Sequence, residues 1–121
     1  MTLATLAMAA GLWAQPPQQP QVYVYHDPAW FYAGYFNVPK TADPLRYHAL
    51  MTRALVDELG RRGVEAQVVD AAGWAQICAD GRRCIVVDIA QSVPALVYHG
   101  QDDGSPLESW LESGGILCYA G

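Results

Sequence analysis

The residues of this chain whose types suit chemistry include two stretches that set histidine beside or near carboxylates. His26-Asp27 stands just before Pro28, and His99 is followed by Asp102-Asp103. An imidazole near carboxylates suits general acid–base work or metal ligation. The chain has only 3 histidines, however, and none sits at a metal-ligand spacing from a cysteine pair, so neither a metal nor a cofactor is expected. His48 reads as a partly exposed helix residue. Cys118 is the one cysteine in a position to act as a thiolate nucleophile, and its plainer reading is a buried core thiol. Cys78 and Cys84 flank Asp80-Gly81-Arg82, a spacing open either to a disulfide across a turn or to two free, buried thiols.

Two further features invite a ligand. Trp30, Phe31, Tyr32, Tyr35 and Phe36 crowd one segment in which Gly34, Asn37 and Pro39 break any regular period. They suit a platform on which a sugar face stacks, with Trp30, Tyr32 and Tyr35 on the binding rim, or a lid packed over the domain. Asp88 closes an apolar run and is a secondary ligand-binding candidate; its plainer role is to hold nearby backbone amides. No G-x-G-x-x-G, G-x-x-x-x-G-K-[ST] or G-x-S-x-G occurs, so nothing supports a phosphate-cradling loop or a serine-hydrolase elbow.

The elements that position these residues follow from pattern. Residues 22–25 (VYVY) are β-branched and aromatic and end at a turn signal, which marks a buried strand. Asp43 and Pro44 open a helix over 44–59 as cap and first residue. Tyr47, Leu50, Met51, Ala54, Leu55 and Leu59 form its apolar stripe. Residues 64–69 read as a second strand and 71–79 as a short helix capped by Asp70 and weakened by Gly73. Residues 84–89 (CIVVDI) give a third strand. Ser105 and Glu108 form a capping box with Pro106 inside it, Leu107, Trp110 and Leu111 face the core, Gly114-Gly115 stop the helix, and 116–120 make the fourth strand. Strands alternating with helices, and apolar on both faces, mean an α/β fold: a doubly wound, flavodoxin-like, mostly parallel sheet with helices on both faces and four strands. The His26-Asp27 pair and His99 then share the carboxyl-end rim, where open parallel sheets place their sites.

Composition bounds the rest. With 121 residues, 52% hydrophobic and 16% charged, there is room for one packed domain and no sign of global disorder. A net charge of −5 with only 7 Lys+Arg makes nucleic acid an unsuitable partner. Residues 1–14 are apolar or small and uncharged, too short for a bilayer span of about 20 residues. They read as a secretory leader ending at Ala14, which implies an exported protein; no Lys or Arg supplies the usual basic start. Residues 15–21 (QPPQQPQ) bury nothing and read as a tether, leaving 22–121 as the domain.

From Glu108 to Gly121 the helix, the Gly-Gly stop and the strand resemble the class I glutamine amidotransferase-like superfamily, including its trehalose-utilisation-type branch. VYVYHD, EAQVVDA, CIVVDIA and WLESGGIL carry that resemblance across 22–121. It implies a Cys at a sharp turn after the fourth strand, with a His and an acid farther along the chain. The register that keeps a strand of normal length puts Ala120 at that position, with Cys118 inside the strand; a shorter register makes Cys118 the elbow residue. Neither register supplies the partners, so the stretch reads as the N-terminal part of a longer protein, or as a complete domain that covers its fourth strand by dimerising. The expectation is a non-catalytic binding or structural module, linked through the resemblance to carbohydrate. The alternative is the first half of a hydrolase or amidotransferase using Cys118, or His26, Asp27 and His99.

Overall fold

The computed structural model describes residues 19–30, 44–90, 92–100 and 104–120. The leader expected at 1–14, the start of the expected tether, the expected Asp43 cap, Tyr32, Tyr35, Asp102 and Asp103 lie outside them. Among the described residues four strands, β1 (Val22–Tyr25), β2 (Ala66–Val69), β3 (Ile85–Asp88) and β4 (Ile116–Tyr119), alternate with three helices, α1 (Pro44–Arg61), α2 (Ala71–Asp80) and α3 (Pro106–Glu112). A 3-10 turn, Pro28–Trp30, follows β1. All strand pairs are parallel and the order is β2-β1-β3-β4, a flavodoxin-like doubly wound sheet. No helix among the described residues is long and apolar enough to cross a membrane.

Because side chains alternate along a strand, paired residues of a parallel sheet share a face. Tyr23, Tyr25, Val86, Asp88 and Leu117 look one way, and the main core lies there, under Trp74, Ile77 and Cys78 of α2 and Leu107 and Trp110 of α3. Val24, Val87 and Cys118 look the other way, toward the side covered by α1. The connection after β1 leads to β2 on one side and the connection after β3 to β4 on the other, so the winding reverses between β1 and β3. That crevice is the natural ligand position of such a sheet.

Two glycines are fixed by close packing. A Cβ on Gly115 would lie 2.1 Å from Trp110 Cε2, so the indole can lie flat on the chain entering β4 and donate to Arg82 O at 2.7 Å. A Cβ on Gly73 would come 2.4 Å from Val69 Cγ2, so the glycine that lowers α2's propensity lets the helix seat on β2. At α3, Ser105 Oγ accepts from Glu108 N at 3.4 Å, while the Glu108 carboxylate accepts from Gly104 N rather than from the cap residue's own amide.

Several expectations are corrected. In α1 the face turned to the sheet carries His48 and Thr52, both buried, whereas Leu50 is 57% exposed and Tyr47 and Ala54 are exposed too. The helix lies over β1 and β2, and that crossover selects its inner face; the inner polar side chains find room beside His26. His48 is thus 0% exposed, not a surface residue. Leu111 is exposed while Leu107 and Trp110 are buried, because a helix of 7 residues turns only a narrow face to the core. β2 starts at Ala66 rather than residue 64 and is an edge strand with Val68 54% exposed, and Ile116 of β4 is 51% exposed. The sheet is therefore not apolar and covered on both faces throughout.

Candidate functional site

His26 extends the ladder beyond β1, its amide donating to Val69 O at 2.9 Å. That anchors the imidazole at the carboxyl end of the sheet, where it meets His48 from α1. The two Nδ1 atoms are 2.6 Å apart and the rings stack with centroids 4.7 Å apart. Such a contact holds one proton, so one ring donates and the other accepts. Burial, and then the neighbouring His26, lower the pKa of His48 to about 4, which keeps it neutral at physiological pH.

Asp27 is already committed to structure. One carboxylate oxygen accepts from Ala29 N at 2.9 Å and holds the 3-10 turn. The other accepts from Ala71 N at 3.0 Å and caps the first turn of α2, beside Asp70, which accepts from Gly73 N at 2.7 Å. With both oxygens engaged, Asp27 acts as a staple between two elements rather than as a base.

Asp88 differs. It is wholly buried at the end of β3, next to Tyr25 across the ladder. Its Oδ1 accepts from Ala90 N at 2.8 Å, as the sequence suggested, but Oδ2 has no hydrogen-bond partner among the described residues. Burial pushes its pKa up to about 6, against the opposing pull of the Ala90 amide. The Tyr25 hydroxyl and Trp74 Nε1 are also buried without a hydrogen-bond partner among the described residues, and the two rings lie 5.0 Å apart. Burial first, then the carboxylates of Asp27, Asp88 and Asp70, raise the Tyr25 pKa well above its usual value. Unsatisfied buried polar atoms are rare, and those of Tyr25, Trp74 and Asp88 lie on the α2 side beside the crevice between β1 and β3.

The remaining candidates separate. His99 is exposed in the connection after β3, and no cluster of three or more His, Cys, Asp or Glu among the described residues is arranged to hold a metal. Trp30 closes the 3-10 turn, while Tyr32 and Tyr35 lie outside the described residues. Cys78 and Cys84 are both buried and both free; burial pushes the Cys78 thiol up to about 11 and raises Cys84 too. Cys118 is exposed rather than a core thiol, since it faces the α1 side of β4 and α1 packs mainly on β1 and β2. Asp88 faces the other way. Ala120, the first residue after β4, donates its amide to Asp88 O at 2.9 Å. Tyr25, His48 and Thr52 were missed in the sequence; the signal for the last two was their four-residue spacing, which puts both on one helix face.

No family model, curated protein or solved structure matches this chain. The amidotransferase-like resemblance rests on the chain's own residues.

Proposed function

We propose that this chain is an amidotransferase-like ligand-binding module without a working thiol nucleophile, and that its ligand enters between the carboxyl ends of β1 and β3. The observation that carries this reading is the Oδ2 of Asp88, a buried carboxylate oxygen with no hydrogen-bond partner among the described residues at the position where doubly wound sheets take ligands; because it is shielded from solvent, a ligand reaches it only as the packing above it opens. A hydroxyl donor satisfies that oxygen without adding charge, so the ligand is a polyol or sugar, the class that the resemblance also suggests. Against a thiol enzyme stand the exposed Cys118 on the opposite face of β4 and the methyl group of Ala120 directly after that strand. The leader-like residues 1–14 support export.

The test is binding to an oligosaccharide array, followed by titration of the best sugar into wild type, Asp88→Asn and Cys118→Ala. Asp88→Asn is expected to weaken binding by roughly tenfold or more, the worth of a charge-assisted hydrogen bond, with Cys118→Ala neutral. Binding unchanged in Asp88→Asn, or glutamine or ester hydrolysis lost in Cys118→Ala, refutes the reading.

A further inference from the structure

On the face of the sheet opposite Asp88, a cavity of about 350 Å³ opens between α1 and the outer strand β2. His26, Thr52 and Arg53 contribute its polar lining, Val56 and Val68 an apolar wall, and Asp57 a carboxylate. Thr52 is buried, and its hydroxyl has no hydrogen-bond partner among the described residues. Arg53 is exposed and forms no ion pair among the described residues. His26 Nδ1 is taken up by His48, so the ring meets a ligand through Nε2. When His48 supplies the shared proton, His26 Nε2 carries the hydrogen and becomes a donor.

We propose that this cavity binds a small carboxylic acid with an aliphatic body. Three donors of different kinds, the Thr52 hydroxyl, the His26 ring and the Arg53 guanidinium, line one cavity, and a carboxylate has acceptor sites for all of them. Val56, one turn beyond Thr52 on the same helix face, and the exposed Val68 give the aliphatic body an apolar surface. Asp57, one turn beyond Arg53, repels the anion and so fixes which end of the ligand points to Arg53. An amine of the same shape gains Asp57 but meets the like charge of Arg53, whose donors it leaves unanswered. This site shares neither face nor anchor with Asp88 and does not depend on the sugar reading.

Hexanoate is the probe, titrated into the whole chain and followed by NMR at the His26 ring and the Thr52 methyl group, with hexanamide and hexylamine as controls of equal length. A dissociation constant on the order of 1 mM is expected for so small a ligand. Hexanamide is expected to bind roughly tenfold more weakly, and Arg53→Gln to lose a similar factor, because each removes a charge-assisted contact. Thr52→Val keeps the shape, removes the hydroxyl and is expected to cost roughly fivefold. Asp57→Asn is expected to tighten binding, and Asp88→Asn to leave it unchanged. Hexanamide or hexylamine binding as tightly as hexanoate overturns the proposal, as does an unchanged affinity in Arg53→Gln. Absence of any shift at His26 and Thr52 up to about 10 mM hexanoate overturns it as well. Arg53 is exposed, so its variant is not expected to compromise folding.

Discussion

Asp88 and His48 are buried on opposite faces of the same sheet, and their titrations oppose one another. Asp88 has its pKa raised from 3.8 to about 6 by burial. Between those values the unfolded chain has lost this proton and the folded chain keeps it, so stability falls as pH rises, by about 1.4 kcal/mol per pH unit and about 3 kcal/mol in all. His48 has its pKa lowered from 6.5 to about 4. Between those values the unfolded chain holds a proton that the folded chain refuses, so this contribution grows with pH, again by about 3 kcal/mol, and is lost as pH falls toward 4. Over pH 4 to 6 the two slopes cancel. Asp88→Asn is nearly isosteric and removes only the first, so its stability relative to wild type is expected to rise by about 2 kcal/mol across that range. Urea unfolding followed by tryptophan fluorescence measures this, since Trp74 and Trp110 are fully buried and report the main core. Surface carboxylates contribute equally to both proteins and drop out of the difference. Parallel stability–pH curves for wild type and Asp88→Asn would refute the reasoning, because they require Asp88 to titrate alike in the folded and unfolded chains.

Three further outcomes follow from the packing. In the native protein a thiol reagent is expected to label Cys118 alone, with Cys78 and Cys84 reacting only after unfolding; counting labelled thiols by mass decides it. Gly115→Ala drives a methyl group into the Trp110 indole and is expected to cost about 3 kcal/mol or more, whereas Gly60→Ala, with nothing within 4 Å in a helix, is expected to add a few tenths to about 1 kcal/mol. Asp27→Ala leaves the Ala71 and Ala29 amides without their acceptor and is expected to destabilise by about 1–2 kcal/mol in the same urea assay.

Much of the frame was legible because local signals agreed. The four strands, three helices, the Asp70 and Ser105 caps and the parallel order all follow from periodicity and turn chemistry, and the structure has them within two residues or so at most ends. The inner face of α1 was not legible in the same way. Tyr47, Leu50 and Ala54 make a convincing apolar stripe, yet the face toward the sheet holds His48 and Thr52, about one residue's rotation away. Hydrophobic periodicity cannot register that His26, twenty-two residues earlier, stands ready to receive an imidazole. Asp88 was legible by position but not by consequence: alternation with Val86 puts it on the core side, and only the packing shows that one of its oxygens has no partner among the described residues. Cys118 shows the converse, since an apolar strand promised burial and the reach of α1 decided otherwise.

The most direct measurement is a titration of the Asp88 carboxyl carbon by ¹³C NMR, with and without a disaccharide such as trehalose. The midpoint in the free protein is expected near 6, where burial places it. Saturating sugar is expected to draw it down toward the usual carboxylate range as hydroxyls reach the empty oxygen. A free-protein midpoint at the ordinary aspartate value, or one that no sugar moves, would contradict the claim that Asp88 anchors the ligand.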